Sequence, residues 1–269
     1  MGFFHYSKNF ILTDPETQLK KSLADFGGQK YNPDSKGIDY NLLPDIEHIT
    51  DSNDNLDGER YVKSVYGTRI IQVPIFLSEK NDAGDLFELR KWLCKKRQQI
   101  FSWEDDDENK EIDVIYKQAI DMNIYYGREF NAVFTLNFIA HNPYWRLKHE
   151  LPYVRKGLTS GNILKIKNKG NANCYPLIKI TPNGTQSTIK FNFNDLQVTL
   201  SNVDKPFYID CELERCYEII NGEKKISLTK YVSDKYGNFP YMWYDKQNIF
   251  QLIQGNIAEI EMELRTRII

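Results

Sequence analysis

Residues that build metal, redox or disulfide sites are scarce in this sequence, whose 269 residues include four cysteines and four histidines. The short cysteine spacing between Cys211 and Cys216 is not the paired pattern of a disulfide or zinc framework. The histidines show no metal-ligand spacing such as H-E-x-x-H. We therefore expect reduced thiols of the cytosolic kind, no bound metal and no cofactor.

Long apolar runs are missing as well. No stretch approaches the roughly 20 apolar residues of a membrane span, and the first residues lack the basic start and apolar core of a secretion signal. No hydrolase triad stands out, and spacing singles out no glycosidase-like pair among the 37 acidic residues. We therefore expect neither a membrane segment nor catalytic residues.

A basic excess is also absent, since the net charge is −2 at pH 7. The charge is unevenly distributed. Residues 1–147 carry 18 Lys and Arg against 24 Asp and Glu, a net of −6, whereas residues 148–269 carry 17 against 13, a net of +4. A nucleic-acid-binding domain usually carries a basic patch and a high pI, so the composition argues against a general nucleic-acid binder.

The sequence does show the alternation of apolar and polar residues that is typical of strands. The stretch 133–146 divides the chain into two parts. The first half of this stretch predicts a strand, and Pro143 ends that strand because proline cannot donate to a ladder. The upstream pattern predicts a β-rich α+β module with one main helix, and the downstream pattern predicts only strands and turns. We therefore predict a mainly β protein with an N-terminal domain at 1–147 and a C-terminal β-sandwich at 148–269.

The helix of the first domain begins after Asp82, a residue type that caps helix N-termini. Leu86, Leu89 and Leu93 recur at i, i+3 and i+7, which predicts a buried face. The basic triplet Lys95-Lys96-Arg97 ends the helix, where cations stabilise its C-terminus. We favour a solvated helix end over a nucleic-acid patch for this triplet.

The stretch 69–77 predicts a strand with one apolar face toward the core, because side chains alternate along a strand. Pro74 would leave a gap in a central ladder, so we place this strand at an edge or a bulge. Exposed edges are where another chain can add a strand. The candidate oligomer-edge residues are Ile70, Gln72, Pro74 and Phe76.

The downstream half predicts a β-sandwich of roughly eight strands, since short strands alternate with turn signals throughout. The strong hairpin signal Asn183-Gly184 predicts one hairpin. Asn194-Asp195 and Asn221-Gly222 also lie between strand patterns. The final strand alternates most regularly, with Ile260, Met262, Leu264 and Ile268 predicted on one face.

Several short motifs of the second half, taken in order, resemble a known family. The motifs are G-N-A-N-C-Y-P-L-I-K-I-T at 170–181, F-Y-I-D-C-E at 207–212, N-F-P at 238–240 and Asn248-Ile249 before a closing β-hairpin. The first half agrees, with its L-R-K-W-L helix, its acidic turn and its strand ending in N-P-Y-W. The chain resembles the distal tail proteins (Dit) of siphophages that infect Gram-positive bacteria. The family's common Pro-Gly-x-Asn turn is altered here to residues 244–248.

This resemblance implies an assembly protein without catalytic activity. Members form a homohexameric ring at the distal end of the tail in the virion, after synthesis in the host cytoplasm. Their N-terminal domains make a belt around a channel, and galectin-like C-terminal β-sandwiches project outward. The ring joins the tail tube protein to the tail-tip or tail-associated protein, and the tape-measure protein and DNA pass through it. Whether a receptor-binding protein also docks is left open.

An aromatic cluster supports an alternative function. Tyr241, Trp243 and Tyr244 fall in a predicted loop, where exposed aromatic faces would suit sugar rings and buried faces would anchor the loop. The sequence leaves both interpretations open. The alternative is a carbohydrate-binding module or adhesin that contacts host cell-surface glycans.

Overall fold

The chain forms two compact units, Met1–Trp145 (unit 1) and Arg146–Ile268 (unit 2). The computed structural model describes residues 9–26, 28–30, 43–52, 59–77, 83–95, 97–104, 109–126, 130–235 and 237–269. The predicted mainly β fold is confirmed, since strands dominate these residues and a single α-helix occurs among them. That helix is too short and too polar to cross a bilayer. The predicted boundary between residues 147 and 148 and the roles of the two domains stay predictions.

The elements of unit 1 are β1 (Phe10–Thr13), β2 (Lys20–Ser22), a 3-10 turn (Leu23–Phe26), β3 (Gly28–Lys30), β4 (Ile46–Ser52), β5 (Glu59–Tyr66), β6 (Arg69–Leu77), α1 (Ala83–Leu93), β7 (Gln99–Trp103), β8 (Lys110–Tyr126) and β9 (Phe130–Ala140). Its main antiparallel sheet has the strand order β2-β1-β7-β8-β9-β6-β3, and β4 and β5 pair separately.

Helix α1 packs against this sheet. Leu89, Trp92 and Leu93 are buried in the unit 1 core, as the apolar spacing predicted. The rings of Phe10 and Phe101 lie parallel with centroids 5.3 Å apart, and Trp92 stacks on the Phe10 ring at 6.0 Å. Aromatic rings remove large apolar areas from water, so this stack joins the helix to the middle of the sheet. Asp82 lies outside the described residues.

Unit 2 is a sandwich of two antiparallel sheets around one core. A short strand, β10 (Arg146–Leu147), precedes the sandwich, whose strands are β11 (Tyr153–Thr159), β12 (Ile163–Ile166), β13 (Leu177–Pro182), β14 (Gln186–Phe193), β15 (Leu196–Val203), β16 (Phe207–Asp210), β17 (Arg215–Ile220), β18 (Glu223–Ile226), β19 (Tyr231–Ser233), β20 (Asn248–Gln254) and β21 (Asn256–Glu263), with a 3-10 turn at Leu228–Lys230. A six-stranded sheet, β11-β21-β13-β16-β17-β18, faces a five-stranded sheet, β12-β20-β14-β15-β19. The sandwich therefore has more strands than the roughly eight that the sequence predicted.

The turn predictions have mixed outcomes. The turn Asn194-Asp195 joins the paired strands β14 and β15, and Asn221-Gly222 joins β17 and β18, as the sequence predicted. The prediction of a hairpin at Asn183-Gly184 is wrong. That turn leads from β13 in one sheet to β14 in the other, because β13 pairs with β16 and β21 instead.

The closing strand is shorter than predicted. Ile260, Met262 and Leu264 are buried on one face as expected, but β21 ends at Glu263. Arg265 then adopts the left-handed conformation with φ 51°. Its guanidinium binds both carboxylate oxygens of buried Asp210, at 2.6 and 3.1 Å. This two-point ion pair fixes the departure of the chain from the sheet.

Candidate functional site

The candidate oligomer-edge residues lie on strand β6, on the face opposite the core. Their core-facing neighbours, such as Val73 and Ile75, are fully buried, whereas Gln72 is exposed and Ile70 and Pro74 are half-buried. β9 pairs with β6 along its full length, and among the described residues β3 pairs with Ile75–Leu77 on the other side, so the predicted edge position is wrong for that end of β6. A contact of the candidate residues with another subunit stays a prediction.

A second surface of unit 1 is the two-stranded hairpin of β4 and β5. It carries exposed apolar side chains on both strands, among them Ile46, Ile49, Tyr61 and Val62. A short polar chain holds its surface together, since the Oγ of Ser64 lies 2.8 Å from Nδ1 of His48 and 2.9 Å from the hydroxyl of Tyr61. The sequence signal of this exposed surface is the presence of Ile, Tyr and Val residues in two predominantly polar strands.

The basic end of helix α1 is engaged in ion pairs. Lys95 Nζ lies 2.9 Å from Oδ2 of Asp14, and Arg97 donates to both Asp14 and Glu16. Asp14 is 2% exposed, and its other oxygen accepts the backbone N–H groups of Glu16 and Thr17. The hydrogen bond from Lys95 lowers the pKa of Asp14 well below its ordinary value. Lys96 and residues 105–108 of the acidic turn lie outside the described residues.

The aromatic cluster is split by the structure. Tyr241 and Trp243 line a pocket of about 310 Å³ in unit 2, together with the rings of Tyr175 and Phe239. Tyr244 is 52% exposed and lies outside that lining. The rings of Tyr241 and Trp243 meet edge to face at 6.3 Å, and those of Tyr175 and Tyr241 are tilted at 6.2 Å. The same loop therefore supplies pocket walls and an exposed ring, and the sugar-binding interpretation of this cluster stays a prediction.

Polar side chains complete the pocket. They belong to three separate turns of unit 2 and comprise Asn194, Asp195, Glu214, Lys235 and Asn238. The Asn194 turn is the tight link between β14 and β15, and Asn194 adopts φ 52°, which asparagine tolerates better than most residues. The charged groups number two carboxylates and one ammonium. No local sequence pattern predicts this convergence, since the contributing residues span positions 175–243.

Two asparagines hold the pocket wall in place. Asn248 is fully buried; its Oδ1 accepts the Trp243 backbone N–H at 2.8 Å and the Asn194 Nδ2 at 3.0 Å. Its Nδ2 donates to the Trp243 carbonyl at 3.0 Å and to the Lys246 carbonyl at 3.4 Å. Asn194 also donates to the Tyr241 carbonyl and accepts the Ile249 N–H, each at 2.9 Å. The aromatic loop is therefore fixed to the sheet by side-chain amides.

Three of the four cysteines are core residues. Burial raises the pKa of Cys174 and of Cys216 to about 12, so both thiols stay protonated at neutral pH. Cys211 is also buried with a raised pKa, whereas Cys94 is exposed. Among the described residues, no group of three or more His, Cys, Asp or Glu side chains could hold a metal ion.

Comparisons with known proteins find structural likeness without sequence similarity. No protein-family model and no curated protein sequence matches the chain. The fold resembles that of the SPP1 Dit protein (gp 19.1), described as a paradigm of the hub adsorption apparatus in phages infecting Gram-positive bacteria. That match has a TM-score of 0.65 and 14% identity and covers 94% of this chain and 98% of the SPP1 chain.

Two phage P2 baseplate structures, both in the activated conformation, are also similar. The one with Ca has a TM-score of 0.50 and 9% identity, and the one with Sr has 0.51 and 8%. Each match covers 95% of this chain and 97% of the other. The likeness therefore extends across both units, and the chain has the Dit-like fold that the sequence motifs predicted.

Proposed function

We propose that this chain is a structural protein of a phage tail, a distal tail protein whose six copies form a ring. The ring joins the tail tube protein to the tail tip or baseplate and surrounds a channel for the tape-measure protein and DNA. The protein then acts in the virion, at the distal end of the tail, and performs no catalytic step. The observation that carries the proposal is the fold likeness to SPP1 Dit over 94% of this chain and 98% of that one.

A closed ring of identical subunits needs a head-to-tail interface, in which two different surfaces of each subunit meet. Unit 1 offers two such surfaces. The hairpin of β4 and β5 is one, because isolated two-stranded hairpins are marginally stable in water and exposed apolar patches mark interaction sites. The face of β6 that carries Ile70, Gln72 and Pro74 is the other, because it lies opposite the core and presents apolar side chains that a neighbour could cover.

Mass measurement of the intact chain tests the ring. A hexamer of the 31.7 kDa chain has a mass of about 190 kDa (6 × 31.7), and we expect native mass spectrometry and light scattering to report it. Negative-stain images should then show rings with a central opening. A protein that stays monomeric up to its solubility limit would contradict the proposal.

A matched pair of substitutions tests the hairpin contact. Val62 on β5 is 53% exposed and Val232 on β19 is 59% exposed. Val62→Glu should dissociate the ring, because burying an unpaired carboxylate at an interface is strongly unfavourable. Val232→Glu, the same change in unit 2, should leave the mass of the assembly unchanged. Intact rings in Val62→Glu would exclude the hairpin from the interface.

The charge of the first half suits a conduit that lets DNA slide. Residues 1–147 carry a net −6, and Lys95 and Arg97 already pair with Asp14 and Glu16. A lining rich in free cations would bind phosphate through counterion release. We propose that Lys95, Lys96 and Arg97 do not line the lumen, and we expect a Kd for duplex DNA no tighter than about 1 μM at physiological salt, measured by fluorescence anisotropy. Tight, salt-sensitive binding would contradict this.

A further inference from the structure

The pocket of unit 2 combines the two features that carbohydrate recognition requires, an aromatic surface and a ring of hydrogen-bonding groups. We propose that it binds a neutral saccharide, whose ring lies against Tyr241 and Trp243 while its hydroxyl groups meet Asp195, Glu214 and Asn238. The pocket volume of about 310 Å³ is at the lower end of the roughly 300–1,000 Å³ typical of ligand sites. This binding role is independent of ring assembly and goes beyond the tail-hub function.

The aromatic part of the pocket is accessible and ordered. Tyr241 is 42% exposed, and Trp243 is half-buried with its ring edge to face against that of Tyr241. A sugar ring has an apolar C–H face and polar edges, so it can cover an aromatic ring without losing its hydroxyl hydrogen bonds. Lys246 Nζ stands 5.1 Å from the centre of the Trp243 ring, which restrains that ring through a cation–π contact.

Preorganisation strengthens the case for a binding site. The backbone of Trp243 is bound on both its N–H and its carbonyl by the buried side chain of Asn248. Asn194 binds the carbonyl of Tyr241 and is itself bound to Asn248. A loop that is already ordered loses less conformational freedom when a ligand binds. The two aromatic residues are therefore held in place before any ligand arrives.

The charged groups at the pocket influence which ligand charge it accepts. Asp195, Glu214 and Lys235 are exposed, and none of them forms an ion pair with another described residue. Carboxylates accept hydrogen bonds from hydroxyl groups, and these charge-assisted bonds are the stronger ones. Asp195 and Glu214 are balanced by Lys235 and by the ammonium of Lys246 beside Trp243, so the pocket has no net positive charge with which to attract a polyanion such as a glycerol phosphate polymer. The chemistry therefore favours an uncharged sugar.

Saturation-transfer NMR on the full chain tests the proposal with three defined probes: maltotriose, lactose and N,N′-diacetylchitobiose. We expect at least one of them to bind with a Kd on the order of 1 mM, as suits a small open site. Poly(glycerol phosphate) serves as the anionic probe and should not bind. Failure of all three sugars, or binding of the anionic polymer alone, would overturn the proposal.

Variants of the aromatic loop locate the site. Tyr241→Ala and Trp243→Ala should each weaken sugar binding about ten-fold, the size of one lost aromatic contact, whereas Tyr241→Phe should bind as the natural protein does. Tyr244→Ala is the matched control, because Tyr244 is exposed in the same loop but does not line the pocket. Equal loss in Tyr244→Ala, or unchanged binding in both pocket variants, would refute the assignment. Thermal unfolding of each variant confirms that the fold is kept.

Discussion

The substitution Asn248→Ala tests whether the buried amide of Asn248 holds the aromatic loop. The side chain is fully buried and makes three hydrogen bonds of 2.8–3.0 Å and a fourth of 3.4 Å. A typical hydrogen bond contributes about 1 kcal/mol net, so the three short bonds predict a loss of about 3 kcal/mol. Partners that stay buried without a replacement would add to that loss.

Two measurements check the magnitude. Guanidinium unfolding of the full chain, followed by circular dichroism, gives the change in unfolding free energy for the transition of unit 2. Hydrogen exchange read by mass spectrometry gives the local effect, and the Trp243 amide should exchange much faster once its acceptor is removed. Asn173→Ala is the control, because Asn173 is exposed and accepts one N–H bond, from Tyr244 at 3.3 Å. It should change stability by less than about 0.5 kcal/mol.

Asn248→Asp separates hydrogen bonding from packing, because it conserves size. The aspartate can still accept from Trp243 and Asn194, but it loses both donor bonds and turns a buried carboxylate toward two carbonyl oxygens. We expect destabilisation at pH 7 that lessens in acid, where the carboxyl group becomes a donor again. A variant Asn248→Ala within about 0.5 kcal/mol of the natural protein would refute the reasoning.

Three further predictions concern separate parts of the fold. Leu93→Ala should lower the unfolding free energy by about 2–5 kcal/mol in denaturant titrations, because Leu93 is buried in the unit 1 core. Gly170→Ala should lower the melting temperature markedly, because a Cβ there would lie 2.0 Å from the Arg267 carbonyl oxygen, a backbone atom that can move only if the chain shifts. Asp14 has a lowered pKa, so its ion pair stabilises unit 1 fully above about pH 4 and loses that effect as the pH falls further; Asp14→Asn should flatten this part of the stability profile.

Matched controls accompany the first two. Lys91→Ala changes an exposed residue of the same helix and should stay within about 0.5 kcal/mol of the natural protein. Gly157→Ala adds a Cβ that meets no atom within 4 Å but sits at φ 67°, so it isolates the backbone strain from the steric clash. If Gly170→Ala were no more destabilising than Gly157→Ala, the close approach at position 170 would be wrong.

Sequence periodicity predicted those parts of the fold that depend on one element meeting the core. The alternating face of β6 is buried as predicted, and so are Leu89 and Leu93 of α1, because burial follows the period of each element. Strand alternation likewise predicted the mainly β fold, and the resemblance carried by the order of the short motifs implied that it is Dit-like. A buried face depends on local periodicity, and the fold class depends on many residues together, so both can be predicted from a single sequence.

Long-range pairing was beyond the reach of local patterns. Asn183-Gly184 has the composition of a hairpin turn, yet the strands it joins pair with different partners, so the turn chemistry is right and the topology is not. The pocket depends on Asn194 meeting Asn248 across 54 positions. The early end of β21 depends on Arg265 reaching Asp210 across 55 positions. Local periodicity contains no information on such pairs. A buried polar residue needs a hydrogen-bond partner, but the sequence alone does not identify that partner.

The basic end of α1 shows why charge must be counted by site and not by segment. In the sequence, Lys95-Lys96-Arg97 was a triplet of cations whose partners could not be named. In the fold, Lys95 and Arg97 meet Asp14 and Glu16, so two positive charges cancel two negative ones within one cluster. The net −6 of residues 1–147 is therefore carried entirely by other positions of that segment. Paired cations offer little to a phosphate backbone, because binding would first have to break the existing ion pairs.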